Sequence, residues 1–123
     1  MKVKCVDNYL MGAYLTVGKV YNVELDENRG YSIVDDRGSI YVYMKYRFVV
    51  VDNSPVESDY KKLRAVKSKF NGKKVVLGKN SVYIVLYESA NAYFIINDCG
   101  QIAKYSKSYF IELNKRRIIK WTD

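Results

Sequence analysis

The sequence predicts an all-β chain: two small five-stranded barrels in tandem, made by an internal duplication, followed by a C-terminal extension. Thirteen tyrosines and many valines and isoleucines, against a single proline, favour pleated sheet over helix. Residues 15–51 are then repeated further along the chain. Val20-Tyr21-Asn22-Val23 matches Val82-Tyr83-Ile84-Val85, and Tyr31, Ile33, Asp36, Gly38, Tyr43, Lys45 and Phe48 recur 62 positions later as Tyr93, Ile95, Asp98, Gly100, Tyr105, Lys107 and Phe110. Upstream the offset reads as 60, with Gly18-Lys19 over Gly78-Lys79 and Val6 over Val66, which assigns two extra residues, Asn80-Ser81, to the second copy. Short apolar segments punctuated by polar and Gly-containing turns complete the pattern.

In each copy the elements follow from local chemistry. Residues 2–6 read as a first strand. Asp7-Asn8 and Gly12 mark the loop that follows, over residues 7–14. Gly18-Lys19 turns into a strand over residues 20–25, where alternation assigns Tyr21, Val23 and Leu25 to the core and Val20, Asn22 and Glu24 to the outside. Residues 26–30 form a polar turn and 31–34 the next strand. Asp35-Asp36-Arg37-Gly38 closes a hairpin onto residues 39–43, echoed by Asn97-Asp98-Cys99-Gly100, with a glycine supplying the positive φ of a bulged connection. Met44-Lys45-Tyr46-Arg47 is long enough for one helical turn only, and residues 48–51 form the last strand. Such a unit describes a closed or nearly closed small barrel.

The domain plan places the first barrel at residues 1–52, a linker at 53–62 around Pro55, and the second barrel with a basic tail at 63–123. Units of this size bury only roughly 60% of their chain surface, so the two are expected to pack together or share a strand. Residues 61–70 are ambiguous. Leu63, Val66 and Phe70 have helical spacing, whereas the repeat makes Arg64-Ala65-Val66 a strand, and the repeat is the stronger signal. The tail, with Arg116, Arg117, Ile118, Ile119 and Trp121, has no counterpart in the first copy and is expected to dock as an added strand or clasp.

The order of turns and strands, with Leu15-Thr16-Val17-Gly18-Lys19-Val20-Tyr21 before the Asp-Gly hairpin, resembles an SH3-like barrel. Residues 104–113, Lys-Tyr-Ser-Lys-Ser-Tyr-Phe-Ile-Glu-Leu, are similar to the end of SH3 domains, where a 3₁₀ turn leads into the last strand. Lys4-Cys5-Val6-Asp7-Asn8, the Leu15–Tyr21 segment and Arg47-Phe48 also resemble a group of short uncharacterised bacteriophage proteins. The resemblance implies fold and is nearly silent on activity. The paired acidic loop, the groove tryptophan and the 3₁₀-turn proline of peptide-binding SH3 domains are missing, with Lys45 and Lys107 standing where the proline would be. Proline-rich peptides are therefore not the expected ligand.

Chemistry narrows the function classes. The chain has no histidine, which removes the commonest general base and metal ligand. Cys5 and Cys99 lack the Cys-x-x-Cys spacing of a zinc site and do not occupy matching places in the repeat, so two free thiols in a reducing cytoplasm are expected. No phosphate-cradling glycine motif occurs. Asp35-Asp36 reads as turn chemistry rather than a catalytic carboxylate pair, and Cys99 as an incidental exposed thiol rather than a reactive one. No run approaches the ~18 apolar residues of a membrane span, and the N-terminus enters repeat sequence without a signal peptide. The expectation is a non-enzymatic cytoplasmic protein with no cofactor, metal or membrane.

Charge is the positive lead. Residues 1–60 hold seven Lys/Arg and nine Asp/Glu, whereas residues 61–123 hold fourteen and four. A half so basic suits an acidic partner, nucleic acid above all, although a merely solubilising face would show the same imbalance. Lys61, Lys62, Arg64, Lys67, Lys69, Lys73 and Lys74, with Arg116 and Arg117, are the candidate phosphate contacts. Tyr9, Tyr14, Tyr46 and Tyr109 fall in loops or turns and are the candidate aromatic contacts. Tyrosine beside Lys or Arg suits base stacking and equally suits a protein hot spot. Nucleic-acid binding by the second barrel is the leading expectation. The alternatives are a module that inhibits a host or defence protein, using loop tyrosines against an acidic partner, and a protein that sequesters a small nucleotide.

Overall fold

The computed structural model describes residues 1–113 and is all-β, with two single 3₁₀ turns and no α-helix among those residues. Among the described residues no helix is long and apolar enough to cross a membrane. The chain divides into two compact units, Met1–Asp59 and a second that begins at Tyr60.

Unit 1 contains β1 (Lys2–Cys5), β2 (Val20–Asn22), β3 (Leu25–Glu27), β4 (Gly30–Val34), β5 (Ile40–Tyr43), the 3₁₀ turn η1 (Lys45–Arg47) and β6 (Phe48–Asp52). They form two three-stranded antiparallel sheets, β2-β1-β6 and β3-β4-β5. The expected strand over residues 20–25 is interrupted: at Val23 and Glu24 the backbone hands over from one sheet to the other, Val23 N–H donating to Met1 and Glu24 N–H to Ser32. Asp26 and Glu27, expected in a turn, belong to β3. The expected alternation nonetheless holds, with Tyr21, Val23 and Leu25 buried.

Unit 2 contains β7 (Lys62–Ala65), β8 (Lys69–Asn71), β9 (Lys74–Leu77), β10 (Val82–Glu88), β11 (Ala92–Ile96), β12 (Ile102–Ser106), η2 (Lys107–Tyr109) and β13 (Phe110–Glu112). Here β10 stays continuous and bends through a bulge between Val85 and Tyr87, so that one five-stranded sheet runs β12-β11-β10-β7-β13. Among the described residues the strands close into a barrel in neither unit, and their count exceeds five in both. Residues 62–65 are strand, as the repeat requires and the helical spacing does not. The anticipated docking of the tail, with Arg116, Arg117 and Trp121, lies outside the described residues.

The duplication reaches into the interior. The unit 1 core of Val3, Cys5, Leu15, Tyr21, Val23, Tyr31, Ile33, Tyr43 and Phe48 is answered position by position by Leu63, Ala65, Leu77, Tyr83, Val85, Tyr93, Ile95, Tyr105 and Phe110. Phe48 sits edge-on to Tyr21 and Tyr31 at 6.3 and 6.0 Å between centroids, and Phe110 to Tyr83 and Tyr93 at 6.2 and 5.8 Å. Such T-shaped pairs add to what area burial alone contributes.

Two hydroxyl clasps also recur. Tyr21 Oη accepts from Thr16 N–H at 2.9 Å and donates to Asp36 at 2.8 Å; Tyr83 Oη accepts from Gly78 N–H at 2.9 Å and donates to Asp98 at 2.7 Å. In the hairpin, Asp35 accepts from Arg37 N–H and from the Tyr43 hydroxyl, while Asn97 accepts from Cys99 and Gln101 N–H and donates to the Tyr105 hydroxyl. Gly38 and Gly100, at φ +81° and +77°, close the two turns.

These bonds correct the alignment. Gly18 N–H donates to Cys5 and Asn80 N–H to Ala65, both at 2.8 Å, and Gly18 (φ +90°) shares its left-handed backbone with Asn80 (φ +72°). Gly18 therefore corresponds to Asn80 and not to Gly78. The two extra residues lie earlier, between Ala65 and Leu77, where unit 2 forms the β8–β9 hairpin and unit 1 has only turns.

Candidate nucleic-acid interface

The hairpin that distinguishes unit 2 is built from Lys69-Phe70-Asn71-Gly72-Lys73-Lys74-Val75. Asn71 pairs with Lys74, leaving Gly72-Lys73 as a two-residue loop. Gly72 takes φ +64°, which the first position of a mirror-image hairpin turn demands. A bulge between Lys69 and Phe70 re-aims the strand. Phe70 faces Val75 across the ladder, and both stand exposed, Phe70 at 58%. Val76 and Leu77 turn inward and root the hairpin in the core.

The same hairpin and its foot carry several lysines. Lys67 Nζ lies 4.3 Å from the Tyr109 ring centre, and Lys69 Nζ is 5.3 Å from that centre and 3.4 Å from the Tyr109 hydroxyl. The η2 turn is thereby tied to the foot of the hairpin by cation–π contacts. Lys73 and Lys74 are exposed at the tip. Among the described residues no acid forms an ion pair with Lys67, Lys69, Lys73, Lys74, Lys79 or Arg64. From Tyr60 to Tyr87 the sequence has no acidic residue at all.

The other candidate residues are placed differently. Lys61 bridges Glu88 at 2.6 Å and Glu112 at 3.2 Å, and Lys107 joins the same Glu88 at 2.7 Å. Hydrogen bonds from Lys107 and Lys61 hold the Glu88 carboxyl below its ordinary range, and the bond to Glu88 raises the Lys61 ammonium. Burial, then the bond to Glu112, pushes the Tyr93 hydroxyl up to about 12. Lys61 thus belongs to a structural ion network beside Tyr93. Lys62 starts β7 half-buried, and Arg64 points out of it between Val82 and Ile111. Arg116 and Arg117 lie outside the described residues.

Three of the candidate tyrosines belong to unit 1. Tyr14 is covered by the Arg37 guanidinium at 4.1 Å from its centre. Tyr9 and Tyr46 are 73% and 62% exposed, and Leu10, which follows Tyr9 and is 80% exposed, occupies φ +61°. Arg47 is itself buried: its Nη1 donates to the carbonyls of Tyr9 at 3.0 Å and Asp7 at 3.4 Å and so fixes this loop. An open depression in unit 1 is lined by Asn22, Glu24, Glu57, Ser58 and Asp59, a setting that repels phosphate. No group of acids, cysteines or histidines among the described residues is arranged to hold a metal ion. Both cysteines are free, Cys5 buried and Cys99 exposed.

Residues 52–113, which run from the end of β6 through the whole described part of unit 2, match a family described as "Family of unknown function (DUF6501)". The chain belongs to this family. No curated protein matches the chain. In this DUF6501 protein the matched segment contains the hairpin, the η2 turn and every described member of the lysine cluster.

Sequence reasoning singled out those lysines but gave Phe70 no role, because the repeat has no counterpart for this hairpin in the first copy. The signal was Asn71-Gly72, a hairpin dipeptide flanked by alternating residues.

Proposed function

We propose that this protein is a small non-enzymatic binding protein, built from tandem SH3-like barrels, whose basic second unit contacts nucleic acid. One observation carries the reading: Lys67, Lys69, Lys73, Lys74 and Lys79 belong to one hairpin and its foot without acidic partners among the described residues, Lys67 and Lys69 lying over Tyr109, and the same hairpin exposes Phe70. Uncompensated ammonium groups on a protruding element suit phosphate contacts, and their field favours fast encounter with a polyanion. The strand order of unit 2, in which the last strand lies beside the first and the middle strands follow as a meander, supports the SH3-like assignment. The resemblance to bacteriophage proteins supports an origin in a phage genome and action in the cytoplasm of a bacterial cell.

The test is a fluorescence-anisotropy titration of the whole protein with labelled DNA over a range of salt. Each phosphate neutralised on duplex DNA contributes about 0.9 to the slope of log K against log salt. Replacing Lys73 and Lys74 together by alanine should flatten that slope by about 2. Absence of binding at low salt would overturn the reading.

A second reading has its own observation. Tyr9 and Leu10 present exposed apolar surface on a loop pinned by Arg47, and Tyr46 does so on η1, with Leu10 in left-handed backbone that disfavours any side chain. Strain kept at an exposed site suits a protein hot spot. A bacterial partner retained on the immobilised protein after nuclease treatment, and lost with Leu10→Gly plus Tyr46→Ala, would favour this reading over the first.

A further inference from the structure

Building on the nucleic-acid reading, we infer that the β8–β9 hairpin selects single strands over duplex, with Phe70 as the stacking platform. The inference starts from what the hairpin spends on stability. Val76 and Leu77 root it in the core, so Phe70 is not needed as an anchor; it stands 58% exposed opposite Val75, itself 40% exposed. No other aromatic ring stacks on Phe70 among the described residues, and more than half of its surface is left to a planar partner. A phenyl ring left this exposed on a hairpin strand forgoes most of its favourable burial and gains within the fold only its cross-strand contact with Val75.

Its surroundings state what covers it. Lys69 precedes it and reaches the Tyr109 hydroxyl, Lys73 and Lys74 follow across the loop, and none has an acidic partner among the described residues. A protein surface that buried Phe70 would have to be both apolar and multiply anionic at that one spot. A single-stranded nucleic acid is both by construction: each nucleotide carries a flat apolar face and a phosphate. Bases inside a duplex are stacked on one another and offer a protruding phenyl ring no face, whereas splayed bases do. The two copies differ most in this connection. Unit 1 crosses it with turns and no lysine, while unit 2 spends its two additional residues on the hairpin that carries both ring and charge.

The experiment uses the full chain, a labelled oligothymidine of about 15 nucleotides and a duplex of equal length, in the same buffer. The wild-type protein should prefer the single strand. Phe70→Ala should weaken single-strand binding about ten-fold and leave duplex binding within two-fold, as expected for loss of one stacked base. Phe70→Leu, which keeps the apolar volume without the ring, should behave as the alanine variant does, and Phe70→Trp should restore affinity and report it by fluorescence quenching. Lys73→Ala with Lys74→Ala should weaken both ligands together. Equal affinity for the two ligands with Phe70→Ala silent on both would overturn the inference and leave electrostatic binding standing. No binding of either ligand at low salt would remove both.

Discussion

The hairpin turns at Asp35 and Asn97 offer a test that one copy of the fold sets for the other. In unit 1 the Asp35 carboxylate, wholly buried as a side chain, accepts from the Tyr43 hydroxyl at 2.6 Å and from Arg37 N–H at 3.0 Å, and pairs with the Arg37 guanidinium at 2.7 Å. In unit 2 an amide performs the same task, Asn97 accepting turn N–H groups at 2.9 and 3.0 Å and donating to Tyr105 at 3.0 Å. Asp35→Asn should therefore adopt an arrangement the fold already contains. It gives up only the pair with the half-exposed Arg37, a loss of at most about 1 kcal/mol. Asp35→Ala removes the acceptor of the Tyr43 hydroxyl in a residue that is 4% exposed. An unsatisfied buried hydroxyl costs about 1–3 kcal/mol, and the lost turn acceptors add about 1. With a urea dependence of about 1.5 kcal/mol per molar for a unit of this size, a loss near 3 kcal/mol lowers the unit 1 midpoint by about 2 M. Far-UV circular dichroism in urea at neutral pH measures it. Acid supplies the control. Burial acts to raise the Asp35 carboxyl, but its bonds to Arg37 and Tyr43 outweigh this and leave it lowered. Its contribution is present above the unfolded carboxylate value of about 3.9 and is lost as pH falls through the lowered folded value. Wild type and Asp35→Asn should accordingly converge in acid. Equal destabilisation by Asn and Ala would refute the argument that the two turns are interchangeable.

Tyr83→Phe removes the hydroxyl joining Gly78 N–H to Asp98 in a residue that is fully buried, and should destabilise unit 2 by about 1–2 kcal/mol in the same denaturation assay. Hydrogen bonds from Lys19, Thr16 and Tyr21 hold the Asp36 carboxyl down to about 2, so Lys19→Ala should raise its NMR titration midpoint toward the ordinary value; an unchanged midpoint would mean that Thr16 and Tyr21 suffice. Gly30 sits at φ +147° with its missing Cβ directed into the Tyr43 carbonyl, so Gly30→Ala should prevent unit 1 from folding, seen as loss of its dispersed amide resonances.

Much of this fold was legible because the sequence states it twice. The strand pattern, both Asp/Asn-Gly hairpins, the single helical turns and the inward set Tyr21, Val23 and Leu25 follow from alternation and turn chemistry. The register near Gly18 was not legible. The repeated Gly-Lys dipeptide drew the alignment to Gly78, whereas the fold conserves a backbone angle, and Asn80 tolerates the left-handed region nearly as well as glycine does. Nor did Val23-Glu24 announce that β2 ends and β3 begins, since a strand that changes sheets keeps its alternation. The candidate site was half visible. Lys67, Lys69, Lys73 and Lys74 stood out as a charge run. That Lys61 is tied to Glu88 and Glu112, 27 and 51 residues away, depends on strand pairing that no local window contains.

The acids of unit 2 carry a last consequence. Glu88, Asp98 and Glu112 each bond to a lysine or a tyrosine of the same unit, and the chain has no histidine. Between Lys67 and Lys79 the chain has no carboxyl, imidazole or thiol to change charge between the carboxylate and lysine ranges. The charge of the hairpin itself is therefore constant across the acidities a cell visits, while dissolved ions still screen it over about 8 Å at physiological strength. Whatever this surface holds, it should be released by brine and not by acid.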